Sequence, residues 1–336
     1  MPSALPLVAC APIVFIGTLL WLTPQLTRPD LYFAVTVDPA FPRTPEGREI
    51  RRRYRLGVAA VAGLGLAAVL LLSFARPDPR TSALVSVAAF YLVVITSFVV
   101  FLRARRSVLP HAAAPTSIRE AALDGRRRIV PGGWPVAVGP FIVLAGTAAY
   151  LWRGPGDAGA SRELLAGAVP VVIIAVVLYG IGHWVRAVYV GGALGAGEVR
   201  FRRTVATVLL AIQYAAALQW SFVALLRHDQ GFGAGKGIEI AIGLIPLAIV
   251  VAGTIALARL GQGGSAAAHA AAGPPVGDRT ADRYWRLGIF YVNRDDPALF
   301  VERRFGLGYT LNFGHAVSWL ILLVPLALAA AAPLVR

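Results

Sequence analysis

The side chains best suited to chemistry in this chain gather near its C-terminus. Tyr291, Asn293, Asp295, Asp296 and Pro297 stand close together, and Arg304, Phe305, Gly306, Gly308, Thr310 and Asn312 follow within fifteen residues of Pro297. Asn293, Asp295 and Asp296 offer hard oxygen donors of the kind that bind a divalent cation, but the spacing lacks the pattern and distal Glu of an EF-hand loop. Turn and cap roles are favoured, because Asn and Asp side chains accept hydrogen bonds from nearby backbone N–H groups. A second polar group, Gln213, Tyr214 and Gln219 with Ser221, interrupts a long apolar run. Amides in such a run either hydrogen-bond a neighbouring helix or contact a substrate.

No His-Glu-x-x-His, Gly-x-Ser-x-Gly, Walker phosphate loop or dinucleotide-binding glycine fingerprint occurs. The glycine-rich runs at 191–197 and 231–237 lack the Lys-Ser/Thr ending of a phosphate loop and read as flexible connections. Cys10 is the single cysteine, so no intramolecular disulfide can form. Leu7-Val8-Ala9-Cys10 matches a lipobox, but no basic segment precedes it and the apolar run continues to Leu22, which disfavours lipidation. We therefore expect no catalytic residue, metal ligand or cofactor, and a protein that is not an enzyme.

The elements that must position these groups are set by composition. The 336 residues are 57% hydrophobic and only 15% charged, with mean hydropathy +0.68. Eight stretches are apolar for about the 20 residues that cross a hydrocarbon core as a helix: 5–22, 56–74, 84–102, 134–152, 164–185, 204–226, 238–260 and 316–335. The expected fold class is all-α, a polytopic transmembrane bundle of eight spans. Pro170, Pro246 and Pro325 fall inside spans and should kink or locally unwind them. Ala59, Gly63 and Ala67 recur every four residues in the second span, a stripe suited to close helix approach.

The net charge of +15 would suggest nucleic acid in a soluble protein, but its distribution points elsewhere. Odd-numbered connections between the spans carry 25 of the 32 Lys and Arg residues. By the positive-inside rule those connections face the cytoplasm and both termini lie outside. The expected partners are anionic lipid headgroups at the inner face and a cytoplasmic protein, with no nucleic acid. Proton- or sodium-coupled transport usually keeps an ionisable group near mid-bilayer, and none of the spans has one there. Glu239, Arg259 and His183 all stand near span ends, within snorkelling distance of an interface.

Two of the inner connections are richer than loops require. In the first, the β-prone run 31–37 ends at Asp38-Pro39, and Thr44 can cap a helix with Pro45 at its first position, running through Arg51–Arg55 into the second span. In the seventh, an aromatic run reaches Asp296-Pro297, and the expected continuation is an interfacial helix over 297–305 that Gly306 ends. Both share the order apolar run, Asp-Pro-Ala, then Phe. We expect Phe33–Val37 and Ile289–Asn293 to lie close together as extended segments of a small cytoplasmic cap, with Arg303 and Arg304 turned toward headgroups and Leu299, Phe300 and Phe305 toward the acyl boundary.

From Leu287 to Phe313 the chain resembles a bacterial membrane-protein domain of unknown function with the pattern Tyr-x-Asn-Pro-Asp-Asp-Pro, then Arg-Phe-Gly-x-Gly-x-Thr-x-Asn-Phe. Arg294 stands where proline is usual, and Glu302 where proline is common. The whole chain is similar to multi-pass proteins carrying this domain, some of them like SdpI-type immunity and signalling proteins. The resemblance implies a bacterial inner-membrane location and a role in toxin immunity, envelope stress or signalling. A transporter or permease for a neutral or lipidic substrate, contacted by Gln213, Tyr214 and Gln219, is the alternative. The expected organisation is a seven-span bundle over 1–260 with inner loops at 23–55 and 103–133, a low-complexity linker at 261–283, and the motif with the eighth span over 284–336.

Overall fold

The computed structural model describes residues 5–27, 30–75, 78–113, 130–153, 158–183, 189–190, 193–194, 196–228, 236–261 and 281–331. Most of the expected linker (262–280), most of the glycine-rich run at 231–237, and residues 114–129 of the third connection lie outside them. The chain divides into two compact units. One holds residues 1–119, 276–290 and 303–307, and the other holds 120–275, 291–302 and 308–336.

In the first unit, helix α1 (Leu5–Leu26) packs on α2 (Pro45–Phe74) and α3 (Pro79–Val108). Strands β1 (Leu31–Tyr32) and β2 (Val35–Thr36) form an antiparallel hairpin, Leu31 opposite Thr36 and Tyr32 opposite Val35. A 3-10 turn over Phe41–Arg43 leads into α2. The start of α2 is a cap legible in the residues: Thr44 Oγ1 accepts from Gly47 N at 3.1 Å, and Pro45 stands first, where its missing N–H costs nothing. As expected, the helix then continues unbroken through Arg51–Arg55 into the apolar run.

The second unit is built from α4 (Gly133–Trp152), α5 (Ala158–His183), α6 (Ala196–His228), α7 (Lys236–Leu260) and α8 (Ala316–Ala331). α6 is the hub: it packs against α4, α5 and α7, while α8 lies on α5. The short strands β3 (Tyr189–Val190) and β4 (Ala193–Leu194) pair antiparallel between α5 and α6. After α7 come β5 (Trp285–Arg286) in the first unit, β6 (Phe290–Tyr291), whose first residue falls in the first unit and second in the other, and β7 (Phe300–Glu302) and β8 (Tyr309–Leu311) in the second. β7 and β8 pair antiparallel with Val301 opposite Thr310.

The protein is mostly helical. Among the described residues, five helices are long and apolar enough to cross a membrane: Pro45–Leu72, Leu84–His111, Gly133–Trp152, Val199–Leu226 and Ala241–Leu260. Two further apolar helical stretches, Cys10–Leu26 and Gly167–Gly182, are shorter. Their outward faces suit a lipid solvent, with Leu64, Leu71, Leu92, Ile95 and Ile142 all at least 60% exposed.

Each unit gathers its odd-numbered connections at one end. In the first, the hairpin after α1, the cap of α2 and the end of α3 meet: His111 Nε2 lies 3.0 Å from Glu46 Oε1, and Ala113 N donates to Thr36 O at 2.8 Å. In the second, Ile181 at the end of α5, Phe201 at the start of α6 and Leu257 near the end of α7 share one core with Leu299 and Phe300.

Two expectations are overturned. Residues 297–305 form no helix. Phe300–Glu302 is a strand held by β8, and Leu299 and Phe300 are buried instead of facing outward. Pairing with a strand nine residues away outcompetes local helix propensity. Nor does the Ala59-Gly63-Ala67 stripe mediate helix contact within the chain, since all three are exposed. Close approach of α2 and α3 instead uses Gly57 against Val100 and Gly65 against Val93, where an added Cβ would come within 2.8 Å and 2.4 Å of valine methyls.

Candidate functional site

The motif residues of the second unit close around one amide. Asn312 is fully buried, and its Nδ2 donates to the carbonyls of Asn293 at 2.8 Å, Asp296 at 3.1 Å and Ala298 at 3.1 Å. With two N–H groups and three acceptors, one bond is shared. Its Oδ1 accepts from Asn293 N at 3.0 Å and Gly314 N at 3.1 Å. Every neighbour of Oδ1 is a donor and every neighbour of Nδ2 an acceptor, so the network settles the amide's orientation. The backbone joins in: Asn312 N donates to Leu299 O, and Phe313 N to Tyr291 O, both at 2.8 Å.

Around this amide the acidic and aromatic residues act as staples. Tyr291, fully buried, donates its hydroxyl to Asp296 Oδ2 at 2.8 Å and accepts from Asn293 Nδ2 at 3.2 Å. Asp296 Oδ1 accepts from Ala298 N and Asn293 Oδ1 from Asp295 N, each at 3.1 Å, the turn and cap roles read from the sequence. Asp295 and Pro297 are exposed at the turn. His315 Nε2 lies 2.6 Å from the Asp296 carbonyl, which can only accept, so the proton sits on Nε2. Thr310 is half-buried in β8. Gly180 of α5 makes room for the Phe300 ring, which an added Cβ would approach to 2.2 Å. That is how β7 seats on the helices.

In the first unit the motif supplies Arg304 and Phe305. Arg304 is buried, contrary to its expected place among headgroups, and pairs through Nη1 with Asp282 Oδ1. Its guanidinium also lies 5.2 Å from the centre of the Trp285 ring. The same carboxylate accepts from Thr36 Oγ1 at 2.8 Å. Beneath it is the two-residue turn of the first hairpin, Phe33 and Ala34, with φ of 46° and 61°. Such left-handed conformations in non-glycine residues cost about 1–2 kcal/mol each. Arg105 Nη1 offsets part of this by donating to Ala34 O at 2.6 Å and Phe33 O at 3.3 Å. Phe33 is anchored among Tyr54 at 4.9 Å, Tyr32 at 4.8 Å and Phe305 at 6.1 Å between ring centres. Ile289 packs against this core, and a Cβ on Gly288 would lie 3.0 Å from Ala34 Cβ, so this part of the seventh connection does meet the first. Gly306 and Gly308 hold φ of 91° and 95°, which explains glycine at both motif positions.

The polar group of α6 is also engaged with backbone. Gln213, fully buried, donates Nε2 to Val171 O of α5 at 3.0 Å, while its Oε1 has no donor. Tyr214 donates to Val136 O of α4 at 2.7 Å, and Gln219 is half-buried. Among the described residues, no group of three or more His, Cys, Asp or Glu is placed to hold a metal ion.

Sequence reasoning did not single out Asp282, Thr36 or Arg105. Asp282 sits at the edge of a stretch that reads as linker, and nothing local marks a carboxylate that will meet an arginine 22 residues later. Gly180 is likewise silent until Phe300 is placed on it.

A family of unknown function (DUF5808) matches residues 294–319, less than a tenth of the chain. The match takes in Asp295, Asp296, Arg304 and Asn312 but begins after Tyr291 and Asn293, so it overlaps the stapled motif in part. Comparison with curated proteins and with solved structures gives no significant match. Fold and motif together define a helical protein with several helices fit to cross a membrane, carrying at its C-terminal end a domain of unknown function.

Proposed function

We propose that the chain is a non-enzymatic integral membrane protein of eight spans, resident in a bacterial inner membrane with both termini outside. Its role is immunity, envelope stress or signalling of the SdpI-like kind, exercised through a folded cytoplasmic face that a protein partner reads. The observation that carries this reading is the use of the motif's polar groups. Asn312, Tyr291 and Asp296 in the second unit, and Arg304 in the first, are each turned inward to hold their own unit's backbone and side chains, as a recognition platform requires and as an acid, base or nucleophile facing a substrate would not be. The gathering of odd-numbered, arginine-rich connections at one end of each unit supports the same orientation.

The test is a deletion strain complemented with wild type or Asn312→Ala. Loss of the gene should raise sensitivity to membrane-active peptides or change envelope-stress transcription, and Asn312→Ala should fail to restore either. Unchanged sensitivity and transcription on deletion would defeat the proposal.

The second reading is a permease for a neutral or lipidic substrate. One observation favours it: Gln213 Oε1 is a buried acceptor without a donor, a vacancy that a substrate hydroxyl or amide would fill. Gln213→Leu with Gln219→Leu would abolish uptake under this reading and leave immunity intact under the first.

A further inference from the structure

Where α1 ends and α2 begins, two arginines are left over after the local acids are used. Glu49 pairs with Arg52 at 2.8 Å and Arg53 at 2.7 Å, and Glu46 faces His111. Arg51 and Arg55, one helical turn apart on α2, have no carboxylate partner among the described residues. Both act on the same point: burial pushes the pKa of the Tyr32 phenol up, and the charges of Arg51 and Arg55 pull it partly back down. Like charges four residues apart on a helix repel, so the pair is unfavourable until an anion joins it.

Arg55 is held in a fixed pose. Its guanidinium stacks on the Trp21 ring at 4.0 Å, and its Nε donates to Trp21 O at 3.3 Å. Neither terminal nitrogen has an acceptor in the described chain, and Nη2 is completely covered. A covered guanidinium nitrogen without an acceptor is costly, and the uncovered Nη1 of a guanidinium held this way can donate a charge-assisted bond to a phosphate oxygen. The surroundings identify the source of that phosphate. Leu56, the next residue, is 60% exposed and opens the apolar outer face of α2, and Trp21 is 38% exposed at the same level. A Trp and paired arginines at the edge of an apolar band are the mark of a membrane–water interface.

We propose that Arg51 and Arg55, with Trp21, form a binding site for the phosphate of an anionic phospholipid, its acyl chains lying along the exposed apolar face of α2. The inference rests on the membrane reading above and names the lipid class that this end of the first unit takes. A free phosphate would satisfy the arginines but would leave the adjoining apolar face uncovered.

The test uses the full chain in detergent, delipidated and titrated with phosphatidylglycerol or phosphatidylcholine, with retained lipid read by native mass spectrometry. Wild type should hold phosphatidylglycerol selectively. Arg51→Gln/Arg55→Gln should bind it roughly ten- to thirtyfold more weakly, the loss expected for two interfacial arginines. Arg52→Gln/Arg53→Gln, which removes the same charge from the neighbouring pair, should keep it. Arg55→Lys should retain only part of the affinity, having charge without the guanidinium plane that stacks on Trp21, and this milder change guards against misfolding of the double variant. Equal retention by wild type and Arg51→Gln/Arg55→Gln would overturn the site. Displacement of the lipid by an equal concentration of inorganic phosphate would overturn the lipid assignment. Extraction of the protein from cell membranes by alkaline carbonate would instead defeat the membrane reading itself.

Discussion

Asn312 carries the highest density of interactions of any single side chain in the motif, and it answers backbone groups that lie 14 to 19 residues earlier. Removing it takes this partner from the N–H groups of Asn293 and Gly314 and the carbonyls of Asn293 and Ala298 in a largely buried site, while the Asp296 carbonyl keeps His315. At about 1–3 kcal/mol for a buried polar group left unsatisfied, and with some of these groups able to relax, Asn312→Ala should cost about 3 kcal/mol. Asn312→Asp should cost more, because a carboxylate oxygen would then face three carbonyl oxygens in place of an N–H donor. Thermal unfolding of the purified protein followed by tryptophan fluorescence should rank the variants wild type, Asn312→Ala, Asn312→Asp in falling stability. An Asn312→Asp variant as stable as wild type would show that the hydrogen-bond hub is wrongly assigned. The local half of this site is readable in the chain: Asn293 and Asp296 each bond a backbone N–H two residues on, as turn residues do. The long-range half is not, because no spacing rule links Asn312 to the Asn293 carbonyl or Arg304 to Asp282.

At the scale of elements, local signals succeed where the partner is close in sequence. The cap of α2 follows from Thr44 and Pro45, and it is tightened by Tyr32, whose hydroxyl donates to Gly47 O at 2.7 Å. Gly47 makes a sharp test of this corner. In an ordinary helix, glycine to alanine gains about 1 kcal/mol. Here the added methyl would lie 2.3 Å from the Phe41 carbonyl oxygen and 3.1 Å from Pro42 Cα, both backbone atoms that cannot swing aside. Overpacking of this kind costs typically 1–3 kcal/mol, so the sign reverses and Gly47→Ala should be destabilising by about 1–2 kcal/mol, seen as a lower unfolding midpoint. A stabilised variant would show that the 3-10 turn at Phe41–Arg43 is looser than described. The strand β7 marks the opposite case. Asp296-Pro297 followed by Ala, Leu and Phe has the form of a helix start, yet Phe300 seats on Gly180 and β8 supplies the backbone partners, so the segment is extended.

For the whole molecule, the testable consequence is orientation. In a Cys10→Ala background, Asp157→Cys and Asp229→Cys should react with an impermeant thiol reagent added to intact cells, whereas Asp124→Cys and Asp295→Cys should react only after the membrane is opened. The opposite pattern would invert the topology, and reaction at all four positions in intact cells would remove the membrane barrier from the argument. Connections one, three and part of seven meet in the first unit, and connection five meets other parts of seven in the second, an arrangement compatible with alternating spans.

What the chain determined without its fold is whatever depends on composition and near neighbours. Long apolar runs form helices whose backbone groups are satisfied within the run, arginines concentrate in alternate connections, and Thr44, Asp38 and Asp296 cap or turn the residues beside them. Only the tertiary structure decided which residues the motif exists to join. Arg304 finds Asp282, Asn312 closes on Asn293, and Arg105 steadies the left-handed turn at Phe33 and Ala34. Each of these pairs is separated by 19 or more residues, and what makes each obligatory is burial, which leaves a charge or an amide no water to turn to.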